Sequence, residues 1–142
     1  MNSYSIKRTL MERLPQGADL YDEITKIVQR ENIRLGRLHA IGATTHAVVA
    51  FYDQDLKKYL PIEFPGGLEI LNLQGNVSMR DGKPFVHAHI LLSDRSGAVY
   101  GGHLLQGTKL FACELVIDEL EGPELVRVSD EPTGLFLWKQ RP

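Results

Sequence analysis

The amino-acid sequence predicts an α/β protein of the α+β type, with a central, mostly antiparallel β-sheet. Its 142 residues are 43% hydrophobic and 24% charged, so the chain can form one domain with a hydrophobic core. Only one segment has clear helical periodicity, whereas the other apolar segments are short and are separated by turn residues. Strands joined by short turns pair in antiparallel fashion, and this predicts the type of sheet.

The first predicted elements are a strand, a turn and the helix. Residues 6–14 alternate irregularly between apolar and polar, and Pro15-Gln16-Gly17 then predicts a turn. Asp19 is a suitable N-cap for a helix that ends at about residue 31 or 32. The apolar side of this helix is formed by Leu20, Ile24, Ile27 and Val28. Core packing explains this stripe, so we expect no binding surface there.

Strands account for most of the remaining sequence. Asp81-Gly82 lies between two strand patterns and is a strong signal for a β-hairpin. We expect Gly75 to interrupt one long strand and residues 61–67 to form a loop. The predicted strands are 33–41, 44–52, 68–79, 85–92, 98–100, 109–118 and 125–128, followed by a short docked tail at 135–138. No linker or internal repeat divides the chain, which predicts one domain over residues 1–142.

Three histidines are the most informative residues for function. His87 and His89 alternate within an apolar run, and alternate residues of a strand point to the same face of a sheet. His103 follows Gly101-Gly102, and a hairpin between the two segments would bring its ring beside the other two. Three histidines with an open fourth position are a known catalytic zinc arrangement. The sequence therefore predicts a divalent-metal site, with zinc as the first choice.

The same pattern has a second interpretation. Histidines on a buried strand also occur as core residues that form hydrogen bonds with the backbone. Copper, iron and nickel accept imidazole ligands as well, so the sequence leaves the identity of a metal open. His39 and His46 lie in other predicted strands, and we expect both to be structural or exposed.

Charge and composition restrict the class of partner. The formal net charge is −2 and no run of five basic residues occurs, whereas non-specific DNA binding depends on clustered cations. No apolar run approaches the roughly 20 residues that cross a bilayer. Residues 1–8 contain no signal-peptide apolar region, so we expect a cytoplasmic protein. We expect its one cysteine, Cys113, to be an inert buried thiol.

Several linked motifs resemble one known family. They are Leu68 to Asn76, His87-Ala88-His89, Leu92-Ser93-Asp94, Gly97 and Gly101-Gly102-His103-Leu104, together with Gly42-Ala43 and Asp130 to Gly134. These motifs extend over about the whole chain, which resembles a prokaryotic, single-domain member of the plants-and-prokaryotes-conserved (PPC) domain family. The resemblance implies an antiparallel sheet with flanking helices, and a homotrimer. It also implies an assembly or regulatory module that is associated with DNA.

The plant form of this family has a feature that the sequence lacks. In plants the domain follows AT-hooks, each an Arg-Gly-Arg core flanked by proline, whereas the nearest approach here is Leu35-Gly36-Arg37. Direct binding to the minor groove by such a motif is therefore not expected. We expect DNA or a DNA-associated protein as a partner, with weak and salt-sensitive direct DNA binding at most.

The fold implied by the resemblance is also similar to that of acetolactate decarboxylases and of a zinc-binding ester hydrolase group. Both hold a metal with a cluster of histidines, which here matches His87, His89 and His103. The alternative function is therefore a metal-dependent lyase or hydrolase that acts on a small carboxylate or ester. Glu69, in an otherwise apolar strand, is its candidate for proton transfer. An exposed position on a half-buried strand is the simpler explanation of Glu69, and the sequence does not decide whether the chain is an enzyme.

Overall fold

Across residues 3–140 the fold consists of one large antiparallel sheet, one helix and a small C-terminal hairpin. The computed structural model describes residues 3–140. Its elements are β1 (Ser5–Leu14), α1 (Leu20–Arg30), β2 (Gly36–Asp53), β3 (Lys58–Arg80), β4 (Lys83–Ser93), β5 (Val99–Leu104), β6 (Lys109–Glu121), β7 (Arg127–Asp130) and β8 (Leu135–Trp138). The main sheet has the strand order β1-β6-β2-β3-β4-β5, and β7 pairs with β8. All these ladders are antiparallel, which confirms the predicted α+β class.

Helix α1 forms where the sequence predicts it and covers one face of the sheet. Asp19 is the N-cap, and its Oδ1 accepts a hydrogen bond from the backbone N–H of Asp22 at 3.2 Å. Its Oδ2 accepts a second one from the N–H of Gly107 at 2.6 Å, which ties the helix to the turn before β6. The four predicted apolar residues of the helix are all buried in the same core cluster as strand residues. Within residues 3–140 no helix has the length and apolar character needed to cross a membrane.

The loop predicted for residues 61–67 is wrong, because these residues continue β3. Pro61 lies opposite Ala50, and Pro65 lies opposite His46, in the antiparallel ladder with β2. The ladder between β3 and β4 begins only at Glu69, so this half of β3 has a single strand neighbour. A proline cannot donate to a ladder but is tolerated where one side of the strand is free. The prolines therefore mark an edge and not a loop.

The interruption predicted at Gly75 is also wrong. Gly75 lies opposite Ala88 inside the ladder between β3 and β4. A Cβ at Gly75 would lie 2.5 Å from the carbonyl oxygen of His87 and 2.9 Å from the Cβ of Ala88. This glycine therefore allows β3 to approach β4 closely at the point where β4 carries two of the three predicted metal ligands.

Strand β2 is continuous where the sequence predicts two strands. Gly42 has a φ of +154° and lies at a register shift in the ladder with β3, while on its other side it pairs with Cys113 of β6. A Cβ at Gly42 would collide with the carbonyl oxygen of Ala112. Irregular pairing at a glycine bends the strand without ending it. The resulting long β2 contacts β6 along its first half and β5 at Val49 and Ala50.

Strand β5 closes a ring of four strands by pairing with both β4 and β2. A Cβ at Gly101 would lie 2.6 Å from the carbonyl oxygen of Ile90 on β4. One at Gly102 would lie 2.8 Å from the carbonyl oxygen of Ala50 on β2. The pair of glycines therefore lets β5 lie close to two neighbouring strands. It places the next residue, His103, between His89 of β4 and Ala50 of β2.

Polar side chains on β1, β6 and β2 form hydrogen bonds with one another at the β1 end of the sheet. Asp118 of β6 accepts hydrogen bonds from Thr9 Oγ1 of β1 at 2.6 Å and from Arg37 Nε of β2 at 2.8 Å. These two donors, Thr9 first, hold the pKa of Asp118 below its ordinary value of 3.8. A depressed pKa in the folded state means that the ionised carboxylate stabilises the fold.

We predict that Asp118→Asn lowers the free energy of unfolding by about 1–2 kcal/mol at pH 7, because one of the two acceptor oxygens becomes an NH2 donor and the charge at the other is removed. The stabilisation by Asp118 is present above the unfolded pKa of about 3.9 and is lost as the pH falls through the lower folded pKa. The difference between wild type and Asp118→Asn should therefore narrow below about pH 4. Urea unfolding from pH 7 to pH 2.5 measures this. Asp55→Asn, in the exposed β2–β3 turn, is the control, and a difference that is constant with pH would contradict the prediction.

Candidate metal centre

The three predicted histidines lie together on one face of the sheet. Strand alternation puts His87 and His89 on this face of β4, while the intervening Ala88 is buried on the other. His103 of β5 is the direct antiparallel partner of His89. One potential ligand atom from each ring lies within 4.8 Å of the other two. The convergence that the sequence predicts is therefore present in the fold.

Two of the three rings, those of His87 and His103, have the protonation state that a metal ligand needs. Burial, with the neighbouring histidines and Arg127, lowers the pKa of His87 to about 4. Burial, followed by the charges of His89 and Arg127, lowers the pKa of His103 to about 4. Both imidazoles are consequently neutral at pH 7, and a neutral imidazole has the lone pair that binds a metal.

His103 has a ring nitrogen without a partner. Its Nδ1 is buried and accepts or donates no hydrogen bond within residues 3–140. The ring stacks on Tyr59, with 4.5 Å between centroids. Buried polar atoms are usually satisfied, so an orphaned nitrogen beside two other imidazoles fits a missing ligand. His87, His89 and His103 are therefore the residues that would hold a metal ion here.

The structure adds a residue that the sequence did not indicate, Arg127 of β7. Its Nη2 lies 3.3 Å from His87 Nδ1. A guanidinium has donors only, so Nδ1 acts as the acceptor in this contact. A metal ion bound at Nδ1 of His87 would occupy the position where the Arg127 guanidinium makes its contact. A metal ion bound at Nε2 would leave the ring proton on Nδ1, which could then no longer accept a hydrogen bond from Arg127. Either mode of binding at His87 therefore ends the contact with Arg127.

Arg127 is held by other elements as well. Its Nε donates to Ser78 Oγ at 2.9 Å, and its Nη2 donates to Asn76 Oδ1 at 2.9 Å, both on β3. Its Nη1 donates to the carbonyl oxygen of Phe136 on β8 at 2.8 Å. The side chain thus fixes the C-terminal hairpin to the sheet beside the histidines. Nothing in the sequence connects it to His87, since it lies 40 positions away in the chain.

A pocket of about 200 Å³ opens beside the cluster. Two of the three histidines, His87 and His103, form part of its wall. The other lining residues are Tyr52, Lys57, Lys58, Tyr59, Arg80, Phe85, Arg127, Gly134, Leu135, Phe136 and Leu137. They come from the β2–β3 hairpin, from the β3–β4 turn and from the C-terminal hairpin. The candidate metal site therefore borders a space that is large enough for a small ligand.

Glu69 lies elsewhere on the sheet. It is exposed on β3, opposite Ser93, and it lines a different pocket together with Asp94 and Arg95. The partner of His89 on β3 is Gln74, five positions along the strand, which corresponds to roughly 16 Å. The structure therefore does not bring the Glu69 carboxylate to the histidines within one chain.

The other residues considered from the sequence have simpler roles. Asp94 closes the β4–β5 turn, where its carboxylate accepts hydrogen bonds from Ser96, from the N–H of Ala98 and from Tyr100 Oη. Cys113 is buried, and burial raises the pKa of its thiol to about 11, which agrees with the expected inert thiol. His39 and His46 lie outside the three-histidine cluster.

Two solved structures resemble the whole fold closely. A metal-containing protein from Archaeoglobus fulgidus is 42% identical in sequence, with a TM-score of 0.92 over 99% of both chains. A plant- and prokaryote-conserved (PPC) protein from Pyrococcus horikoshii is 34% identical, with a TM-score of 0.93 over 99% of this chain and 96% of that one. The described fold is thus the fold of known PPC proteins.

Two more distant structures show similarity of fold alone. A Bacteroides thetaiotaomicron protein for which DNA binding has been suggested is 24% identical, with a TM-score of 0.87 over 98% of this chain and 97% of that one. Acetolactate decarboxylase from Bacillus subtilis is 12% identical, with a TM-score of 0.58 over 87% of this chain and 56% of that one. The expected likeness to the decarboxylase fold is confirmed.

The sequence is also similar to that of a longer protein, and it matches the model of a defined family. The bifunctional protein GlmU of Synechococcus sp. (strain JA-3-3Ab) is 32% identical over 124 residues, which is 86% of this chain. The chain spans only 19% and 18% of the length of the two curated relatives that it matches. The family model of the Plants and Prokaryotes Conserved (PCC) domain, written PPC above, matches residues 1–121. The chain therefore belongs to the PCC domain family.

Proposed function

We propose that the protein is a homotrimeric PCC-domain module which holds one divalent metal ion per chain, zinc, and serves in DNA-associated assembly or regulation. The observation that carries the metal site is the convergence of His87, His89 and His103, with ligand atoms within 4.8 Å of one another. We also propose that residues 1–142 form one domain and that the protein is cytoplasmic.

The chemistry of the donor set supports zinc. Three imidazoles and an open fourth position match one of the known zinc sites. The related protein from Archaeoglobus fulgidus is described as metal-containing, and it shares 42% of its residues with this chain. The orphaned Nδ1 of His103 supports a ligand at this place as well. When bound, such an ion supplies a Lewis acid that can polarise a carbonyl or activate water.

An uncovered apolar surface supports self-association. On the sheet face that α1 does not cover, Met11 of β1 is 77% exposed and Ile41 of β2 is 55% exposed. They line one groove of about 410 Å³ together with Leu115, Val116 and the polar residues Glu12, Arg13, His39 and Glu114. Large exposed apolar patches are uncommon on monomeric proteins and mark interfaces. We propose that neighbouring copies of this chain cover the groove, with the trimer as the state that family membership suggests.

The relation to DNA is proposed to be indirect or weak. A structural relative from Bacteroides thetaiotaomicron is a suggested DNA-binding protein. The net charge of −2 argues against strong attraction of this chain to the phosphate backbone. A trimer that contacts DNA through protein partners is consistent with both observations.

A second candidate function is a metal-dependent lyase or hydrolase acting on a small carboxylate or ester. The pocket of about 200 Å³ beside His87 and His103 favours it, because an assembly module needs no such space. The fold similarity to acetolactate decarboxylase is the other support. Glu69 stays the proposed proton-transfer group of this function, although it lines a different pocket.

For the metal site, we predict about one zinc ion per chain in protein purified without chelators or a nickel column. The metal-free protein should bind zinc in calorimetry at pH 7.5, and His89→Ala should weaken binding at least about 100-fold, since an imidazole ligand is lost. His46→Ala, outside the cluster, is the matched control and should bind as wild type. Absence of metal, with no uptake of added zinc, would favour the core-histidine interpretation.

For the assembly, we predict a sedimentation mass of three times the 16.0 kDa chain at micromolar concentration. The double variant Met11→Asp, Ile41→Asp should be monomeric, because it would bury two charges in the proposed interface. Leu56→Asp is the control, since Leu56 is 59% exposed in the β2–β3 turn, away from this groove. A wild-type monomer at this concentration would exclude the proposed trimer.

For DNA, we predict a dissociation constant weaker than about 1 μM for duplex DNA at physiological salt. The affinity should fall steeply between about 50 and 200 mM salt, as phosphate contacts release counterions. Fluorescence anisotropy with two unrelated duplexes measures both quantities. Tight binding to one sequence by the isolated protein would show that this prediction is wrong.

To separate the two functions, we predict no turnover of acetolactate or of a simple ester by the zinc-loaded protein. The assembly function requires none, whereas the enzyme function requires chemistry at the histidines. Turnover in wild type that disappears in a folded His89→Ala variant, with His46→Ala still active, would place the enzyme function first.

A further inference from the structure

We propose that the pocket beside His87 and His103 binds the oxyanion group of a small organic molecule, a carboxylate or a phosphate monoester. We further propose that the C-terminal hairpin β7–β8 supplies part of its selectivity. The inference rests on the proposed function in placing a ligand site at the histidines, but it does not require the metal.

The strongest observation is the environment of Arg127. This residue is only 8% exposed. Its hydrogen-bond partners are an amide oxygen, a hydroxyl, a backbone carbonyl and an imidazole, and none of them is a carboxylate. In the part of the chain that the structure describes, no carboxylate pairs with it. A buried charge is normally paired, so the environment of Arg127 is that of a residue which binds an anionic group.

The wall of the pocket contains three further cationic residues. Lys57, Lys58 and Arg80 line the pocket together with Arg127, and no lining residue is acidic. This local excess of positive charge contrasts with the net charge of −2 for the whole chain. Several converging cations on the wall of one cleft concentrate the field there and attract anionic ligands.

Carboxylates neutralise these cations only weakly. Arg80 Nε lies 3.6 Å from Asp81, but the Asp81 side chain is 84% exposed, so solvent screens the pair. Lys57 Nζ donates to the backbone carbonyl of Glu131 at 3.0 Å, which leaves its charge without a counterion. The Lys58 ammonium forms no ion pair or hydrogen bond among residues 3–140. Arg80 and Lys58 are therefore available to a ligand at the pocket wall.

The remaining walls fit an organic body attached to the oxyanion. The Arg80 guanidinium lies 3.5 Å from the ring centroid of Phe136, and the Tyr59 ring is stacked on His103. Phe85 contributes another aromatic wall. A cavity of about 200 Å³ suits a single-ring or short-chain acid.

Part of the pocket comes from outside the residues that the family model matches. The family match ends at residue 121, whereas Arg127 and Phe136 belong to the hairpin of residues 127–138. This hairpin is fixed to β3 because the N–H of Met79 donates to the carbonyl of Leu125. The histidines thus lie within the matched region, while the buried guanidinium and the Phe136 wall lie outside it.

The test uses the full chain without metal, kept in a chelator, and three ligands measured by calorimetry. Benzoate carries a carboxylate, phenyl phosphate carries a phosphate, and benzamide is the neutral counterpart of benzoate. We expect at least one anion to bind at least about tenfold more tightly than benzamide, as a charge-assisted hydrogen bond requires. The anion that binds with the higher affinity shows whether the pocket prefers a carboxylate or a phosphate. The proposal would be overturned if benzamide bound as tightly as the anions. It would also be overturned if neither anion bound at a concentration of about 10 mM.

The variants act at the pocket wall, because removing Arg127 itself would unpair four buried or half-buried groups. Arg80→Gln and Lys58→Gln together should weaken the anion about tenfold and leave benzamide unchanged. Arg95→Gln, the same change in the pocket that contains Glu69, is the matched control. Unchanged anion binding in the double variant would contradict the assignment of these cations.

The outcome is independent of zinc uptake. Anion binding by the metal-free chain, with no zinc uptake, would leave this proposal standing and remove the metal site. Zinc uptake without binding of either anion would do the reverse. Repeating the titration with zinc-loaded protein should strengthen anion binding, because the ion adds positive charge to the same wall.

Discussion

The close approach of β5 to two neighbouring strands is the constraint on which the site depends. At Gly101 and Gly102 an added Cβ would lie within 3 Å of backbone carbonyls on β4 and β2. Only glycines let β5 occupy that space. The resulting register places His103 directly opposite His89, and strand alternation then brings in His87. A larger side chain at either glycine would separate the strands and with them the imidazoles.

Burial and positive charge act together at this site. Burial keeps the imidazoles of His87 and His103 neutral and therefore able to bind a metal. The nearby Arg127 acts in the same direction, since a cation disfavours protonation of a neighbouring imidazole. The same guanidinium lacks a charged partner in the described chain. Burial, with a smaller contribution from Arg127, thus keeps these two imidazoles neutral, and the same guanidinium adds positive charge to the pocket wall.

Prediction from sequence succeeded where the signal was local. The helix with its N-cap Asp19 and the hairpin at Asp81-Gly82 both occur, because capping and turn chemistry involve residues that are close in the chain. It failed where proline and glycine serve the sheet. Pro61 and Pro65 were interpreted as loop residues but lie on a half of β3 with one neighbour. Gly75 was interpreted as a break but provides a close approach to β4. Proline and glycine occur both in loops and within sheets, and only the position of the neighbouring strands distinguishes the two cases.

The sequence by itself determined that His87 and His89 share one face, since the side-chain period of a strand depends on no other element. It also determined the antiparallel class, through short turns, and a resemblance from which the family follows. The tertiary structure decided which residues surround the histidines. Arg127 meets His87 across 40 positions of sequence, and Glu69 stays away although it lies on the strand that pairs with β4. Such contacts depend on register and on where a hairpin docks, and these are properties of the packed chain that no local pattern encodes.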